Sequence, residues 1–137
     1  MKQVTIYTKG ISKSNPGPAA IGVLLVDADG SEILRRVEGI GNATSDYAEY
    51  FAVVRGLQLA VDEFGEETKE IDFELKVTNE LVRNHMVAEA QIKDVSLIGH
   101  FIEIYNIRVA SYPNLDITLI DNSPQALLEL LGNSLDV

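Results

Sequence analysis

Three strand-like segments joined by two short turn signals open the chain and constrain its fold more than any other feature. The first, Val4–Thr8, alternates and is rich in β-branched and aromatic residues. The turn Asn15–Pro18 separates it from the apolar run Ala19–Val26, and Asp27–Gly30 is a hairpin signal before a third segment, Glu32–Ile40. We therefore predict three successive strands, the last two antiparallel, with the glycines after residue 38 ending the third.

Helix and strand patterns alternate in the rest of the chain. The strongest helix carries one apolar stripe at spacings of three and four, formed by Tyr47, Tyr50, Val54, Leu57, Val61 and Phe64. We predict that Asp46 caps this helix, that Glu49 completes a capping box, and that Gly65 ends it.

Later segments predict a fourth strand over Ile71–Val77 and a fifth over Leu115–Ile120. Between these strands we predict two helices, from Asn79 to about Ala90 and from Asp94 or Ser96 to Tyr112, and after them a last helix from Ser123 to about Leu131. The order β-β-β-α-β-α-α-β-α indicates an α/β fold with a mixed sheet and helices packed on its faces. We see no linker, repeat or low-complexity segment, and we predict a single domain over residues 1–137.

Composition limits the classes of partner. Eleven basic residues against 21 acidic ones give a net charge of −10, which leaves little attraction for a polyanion and predicts weak nucleic-acid binding. No run approaches the roughly 18 apolar residues that a membrane helix needs, and the start lacks the pattern of a signal peptide. Without cysteine there is no thiolate or disulfide chemistry. We expect no membrane association and a cytoplasmic location.

Several motifs, taken in this order, resemble type 1 ribonuclease H over nearly the whole chain. They are Tyr7-Thr8-Lys9-Gly10, Asn15-Pro16-Gly17-Pro18, Gly22, the segment Thr44–Tyr50 with its Ala48-Glu49-Tyr50, and Leu81-Val82. The resemblance implies a five-stranded mixed sheet of order 3-2-1-4-5 with helices on both faces. It also implies a family activity, in which four carboxylates hold two magnesium ions that activate a water and cleave the RNA strand of an RNA–DNA hybrid.

The four carboxylate positions, carried over from this resemblance one at a time, retain a single acid. Lys9 stands at the first position, and Glu49 matches the second. The third falls on Thr78, and the fourth falls on Leu127 or, with the register shifted by one, on Ala126. Because two divalent cations need several oxygen ligands of negative charge, we expect no catalytic residue, no metal and no magnesium cofactor at this site.

Two interpretations of the first two positions remain open. The ammonium of Lys9 replaces the metal and pairs with Glu49, since a buried carboxylate without a partner is costly. Alternatively Lys9 extends into solvent, and Glu49 serves only as a capping or ion-paired acid.

The first functional hypothesis is a ribonuclease H-like protein that has lost three of four metal-binding carboxylates, is catalytically inactive, and is retained for a binding or structural role. An unknown protein partner or self-association would then explain its retention. The run Leu127–Leu131 is more apolar than one core face requires, which makes it a candidate dimer contact.

Two alternatives come from other classes of function. One is residual hybrid or nucleic-acid binding without cleavage, with contacts from Asn15, Thr44 and Ser45. The other is an active hybrid ribonuclease that uses a rearranged acidic set, Glu49, Glu80 and Asp121. Neither histidine is expected to be a ligand: His85 is predicted at the surface and His100 half-buried.

Overall fold

The computed structural model describes residues 2–87 and 91–135. In these residues the strands are β1 Lys2–Ser12, β2 Gly17–Asp27, β3 Glu32–Ala43, β4 Ile71–Val77 and β5 Leu115–Leu119. The helices are α1 Ser45–Phe64, α2 Glu80–Met86, α3 Ile98–Ser111 and α4 Gln125–Leu135, and short 3-10 segments cover Gly65–Glu70 and Val95–Leu97. No helix among them is both long enough and apolar enough to cross a membrane.

The five strands form one mixed sheet of order β3-β2-β1-β4-β5, which confirms the expected fold class and strand order. The hairpin-linked strands β1, β2 and β3 pair antiparallel. Strands β4 and β5 then extend the sheet in parallel from β1, each reached through helical connections. β1 is therefore the central strand, with antiparallel neighbours on one side and parallel neighbours on the other.

Helices cover both faces of the sheet. On one face α1 packs so closely that a Cβ added at Gly56 would lie 2.7 Å from the Thr8 methyl group. On the other face α4 buries Leu127 and Leu131 against β2. These two leucines belong to the protein's own core, while Leu128 and Leu130 are only half-buried, so the dimer contact predicted for Leu127–Leu131 stays a prediction that rests on the latter two.

Two strands run further than their local patterns indicate. β1 continues through Lys9 to Ser12, because β2 offers it a complete antiparallel partner over these residues. In β3, Gly39 and Gly41 pair with neighbouring residues of β2 while Ile40 is left unpaired between them. Glycines there accommodate a bulge instead of ending the strand.

The start of α1 differs from the predicted capping box. The helix is capped by Thr44, whose Oγ1 accepts a hydrogen bond from the Tyr47 N–H at 3.2 Å. Asp46 lies inside the first turn, and the Glu49 carboxylate turns to β1. Gly65 ends the helix as predicted, with a positive φ of 57°.

The region around α2 also departs from expectation. Asn79 caps this helix as predicted, but the helix ends at Met86, and residues 88–90 of the longer helix that we predicted lie outside the described residues. His85 is buried, not at the surface, because it packs against Tyr50 of α1 and its Nδ1 contacts the Tyr50 hydroxyl at 2.5 Å. His100 is half-buried, as expected, between the rings of Tyr47 and Phe51.

β1 and α1 approach each other closely at Gly10. A Cβ at this position would lie 2.2 Å from the Ala48 carbonyl carbon and 2.4 Å from the Glu49 nitrogen. Both atoms belong to the backbone, so neither can move aside without moving the helix. We infer that a side chain at residue 10 would force α1 off the sheet.

We predict that Gly10→Ala destabilises the protein by about 3 kcal/mol or more, at the upper end of overpacking costs. Gly39→Ala is a matched control, because a Cβ there meets nothing within 4 Å, and it should change the free energy of unfolding by no more than about 0.5 kcal/mol. Urea denaturation of both variants measures the difference. Equal effects would contradict the close approach.

Candidate functional site

The site lies where β4 ends beside the middle of β1. The two strands are parallel, and Tyr7 pairs with Lys76 in their register. Two residues further along, the same register places Thr78 beside Lys9. Glu49 comes from the second turn of α1. The sequence positions 9, 49 and 78 thereby meet at one end of the sheet.

The Lys9 ammonium is the centre of this cluster. Its Nζ lies 3.0 Å from Oε1 of Glu49 and donates a hydrogen bond of 2.8 Å to Oγ1 of Thr78. The N–H of Gly10 donates to the same Glu49 oxygen at 3.0 Å. The predicted pairing of Lys9 with Glu49 is confirmed, and the alternative in which Lys9 extends into solvent is wrong.

The burial of the two side chains sets the strength of the interaction between Lys9 and Glu49. The Glu49 side chain is 4% exposed and that of Lys9 is 25% exposed. Burial raises the pKa of the Glu49 carboxyl above its usual value, while the Lys9 charge, its hydrogen bond and the Gly10 N–H act in the opposite direction. The Lys9 ammonium is therefore the main group that favours an ionised Glu49.

An apolar side chain occupies the fourth of the positions carried over from the resemblance. Leu127 is buried and packs with Ala20, Leu24 and Leu131. A Cβ added at Gly22 would lie 2.6 Å from Leu127 Cδ1, and Gly22 is the direct partner of Lys9 in the register of β1 and β2. Because direct partners share a sheet face, Leu127 lies on the face from which the Lys9 side chain starts.

These four side chains do not fit a pair of magnesium ions. Magnesium takes oxygen ligands, and the site offers one carboxylate, one hydroxyl, one ammonium and one hydrocarbon side chain. Within residues 2–87 and 91–135, no group of three or more His, Asp or Glu side chains is arranged to hold a metal ion. Glu80 and Asp121, the acids of the rearranged set, are both exposed.

Two hydrogen bonds, one at the rim of the site and one at its centre, were not predicted. Nδ2 of Asn79 donates to Oδ1 of Asp46 at 3.0 Å, which links the cap of α2 to the first turn of α1. Thr78 as acceptor for Lys9 was also missed. Only the register between β1 and β4, whose paired residues are 69 apart in sequence, reveals it, and no local motif signals that register.

The residues predicted to contact nucleic acid also come together. Oδ1 of Asn15 accepts a hydrogen bond from the Ser45 N–H at 2.8 Å, and Thr44 caps the same helix end. The structure thus places Asn15, Thr44 and Ser45 at the N-terminus of α1. Their side-chain oxygens already accept two of the N–H groups that a helix N-terminus would otherwise offer to an anion.

We predict that Lys9→Met destabilises the protein, and more at pH 7.5 than at pH 4. Methionine keeps the unbranched apolar stem of the side chain but removes the charge, so the pKa of Glu49 in the folded state rises further above its unfolded value. The folded state then binds more protons than the unfolded state, and stability falls as pH rises above about 4.3. The expected loss at pH 7.5 is about 2–3 kcal/mol, below that of fully buried pairs because Lys9 is partly exposed.

Urea denaturation at both pH values measures this effect, and Glu49→Gln provides the control. Glutamine has no charge to bury, so the double variant Lys9→Met with Glu49→Gln should lose the pH dependence and recover part of the stability. A loss of the same size at pH 4 and pH 7.5 in Lys9→Met would contradict a charge pair.

Comparison with known proteins places this chain in a family. Residues 7–90 match the family described as reverse transcriptase-like. Ribonuclease HI of Halobacterium salinarum is 37% identical over 95 residues, which span 69% of this chain and 45% of that protein. This chain therefore matches less than half of the length of that relative.

Solved structures show the same architecture. LC11-RNase H1, in complex with an RNA/DNA hybrid, superposes with a TM-score of 0.89 at 30% identity, covering 95% of this chain and 94% of that one. RNase H1 of the halophilic archaeon Halobacterium salinarum has a TM-score of 0.78 at 30% identity, covering 96% and 92%. The chain belongs to the reverse transcriptase-like family and has a ribonuclease H-like fold.

Proposed function

We propose that this protein is a ribonuclease H-like protein without metal-dependent cleavage, retained for a binding or structural role. The observation that carries the proposal is the Lys9 ammonium, which contacts Glu49 at 3.0 Å and Thr78 at 2.8 Å. An ammonium has no vacant coordination position, so it can neither bind a water as a Lewis acid nor lower its pKa as a divalent metal does. In this proposal Lys9 holds the place of the metal without its chemistry.

The remaining positions support the same proposal. Leu127 is part of the core between β2 and α4, and a carboxylate in its place would be surrounded by hydrocarbon. Thr78 offers a neutral oxygen that already accepts from Lys9. A magnesium ion brought near Glu49 would therefore have to displace the ammonium and would gain a single carboxylate.

We predict that the protein does not cleave a labelled RNA–DNA hybrid in millimolar magnesium or manganese. Ribonuclease HI of Halobacterium salinarum serves as the active control under the same conditions. The midpoint of thermal unfolding should also stay unchanged in about 10 mM magnesium, because a metal that binds the folded state would raise it by mass action.

Cleavage that is lost in Glu49→Gln would contradict the proposal directly. Glu80→Gln and Asp121→Asn then decide whether the alternative, a ribonuclease with rearranged acids, is correct. Loss of cleavage in all three variants would establish that alternative. Glu80 and Asp121 are exposed, so their substitution should leave the fold intact.

A second candidate function is hybrid binding without cleavage. Its support is the grouping of Asn15, Thr44 and Ser45 at the start of α1, together with the hybrid seen in the complex of LC11-RNase H1. The net charge of −10 and the nearby Asp46 act against a phosphate backbone. Binding by this surface would therefore be weak and would depend on few phosphate contacts.

For this second candidate we predict that affinity for a labelled hybrid falls by about tenfold between 50 and 200 mM salt, as two phosphate contacts would require. Fluorescence anisotropy of a labelled RNA–DNA hybrid measures it, with bovine serum albumin as an acidic control for non-specific signal. An affinity that does not change with salt, or no binding at 50 mM salt, would contradict hybrid binding.

A further inference from the structure

The outer face of α3 carries a row of exposed apolar side chains. Ile98, Ile102, Tyr105 and Val109 are between 39% and 70% exposed, and Val95, in the turn before the helix, is 79% exposed. The opposite side of the same helix buries Ile104 in the core. We call the five exposed residues the α3 stripe. Single exposed apolar residues are normal, but a contiguous row on one helix face marks an interaction surface.

The spacing of the stripe is symmetric. Its helical members follow each other at intervals of four, three and four residues, which is the spacing of one seam along a helix. A two-fold axis between Ile102 and Tyr105 therefore maps the row onto itself. Under that axis Ile98 of one copy meets Val109 of the other, and Ile102 meets Tyr105. This self-complementarity is what an isologous contact between two identical chains requires.

The exposed apolar area of the stripe is large enough for a dimer of low affinity. Side chains of this size expose roughly 150–230 Å² when free, so the observed fractions leave on the order of 500 Å² of apolar surface. Standard interfaces bury about 800 Å² on each partner, and weaker ones start near 600 Å². With the polar residues at its rim, the α3 stripe reaches the lower part of this range.

A groove next to the stripe fits the same two-fold arrangement. It lies between α2 and α3 and is lined by Met86, Tyr105, Val109 and Tyr112, among others. The axis that pairs Ile102 with Tyr105 brings the end of α3 of one copy, with this groove beside it, next to the start of α3 of the other. Val95, the most exposed side chain of the stripe, precedes α3 and would therefore lie at the end of the partner helix where this groove opens, a groove whose lining also includes His85 and Arg108.

Charge is compatible with a second copy at this surface. None of the five residues of the stripe is charged, and α3 contains one acid and one fully basic residue, Glu103 and Arg108. The acidic residues that give the chain its net charge of −10 lie mainly on other elements. Two copies would repel each other at long range, and salt would screen this repulsion without weakening the apolar contact.

We propose that two copies of this chain pair through the α3 stripe, with their α3 helices antiparallel about a two-fold axis between Ile102 and Tyr105. This names the partner in the proposed binding role and rests on that role only, not on the absence of cleavage. Whether the protein cleaves a hybrid and whether it dimerises are measured separately. Either proposal can therefore fail alone.

Sedimentation equilibrium of the full chain tests the pairing. We expect a monomer–dimer equilibrium with a dissociation constant of about 1–100 μM, and a stronger dimer at 500 mM than at 50 mM salt. Tyr105→Lys should weaken the dimer by tenfold or more, as the loss of a central aromatic anchor does. Val109→Lys provides a second variant, in case the first fails to fold by circular dichroism.

Leu119→Lys is the matched control, because Leu119 of β5 is 37% exposed but lies off the stripe. It should leave the dissociation constant within about twofold. A protein that stays monomeric at millimolar concentration in 500 mM salt would overturn the proposal. A dimer weakened by Leu119→Lys and not by the stripe variants would overturn it as well.

Cross-linking tests the antiparallel orientation, since the chain has no native cysteine. Mild oxidation of a mixture of Ile102→Cys and Tyr105→Cys chains should give mainly mixed disulfides, because these two positions meet across the axis. Each variant alone should cross-link several times less. A preference for like-with-like disulfides would indicate parallel helices and would overturn the proposed geometry.

Discussion

The arrangement of the site depends on the close contact between β1 and α1 at Gly10. The missing side chain at residue 10 lets the start of α1 lie directly on the central strand, where a Cβ would be 2.2 Å from the Ala48 backbone. The Glu49 carboxylate is thereby buried at the sheet. A buried carboxylate needs either a bound cation or a charged partner to stay ionised. In this chain the partner is Lys9, the residue just before Gly10.

A lysine at residue 9 limits the number of acidic side chains whose charge the site can balance. A single ammonium satisfies one carboxylate and one hydroxyl, those of Glu49 and Thr78, and then has little charge left to balance further acids. Leu127, which is buried in the core, adds no negative charge to a site whose one carboxylate is already balanced by Lys9. Lys9 and Glu49 balance each other's charge as a structural ion pair. We therefore propose binding and not hydrolysis as the role of the protein.

Local patterns predict part of the fold because some residues act on their own backbone. The strand Ile71–Val77, the Asn79 cap and the end of α1 at Gly65 follow from alternation, a side-chain cap and a positive φ. The position of Lys9 beside Glu49 was predictable only through the family resemblance. Other contacts between distant elements were not predictable, because the register between β1 and β4 places Thr78, and packing against Tyr50 buries His85.

The most direct measurement of the central claim is a manganese titration of the labelled protein followed by NMR. The Gly10 amide donates to Oε1 of Glu49, so a paramagnetic ion bound by that carboxylate would broaden its signal strongly. We predict that Gly10 is broadened no more than amides far from the site at millimolar manganese, while Lys9→Asp gains selective broadening at Gly10. Selective broadening at Gly10 in the unmodified protein would contradict the claim that Lys9 has replaced the metal.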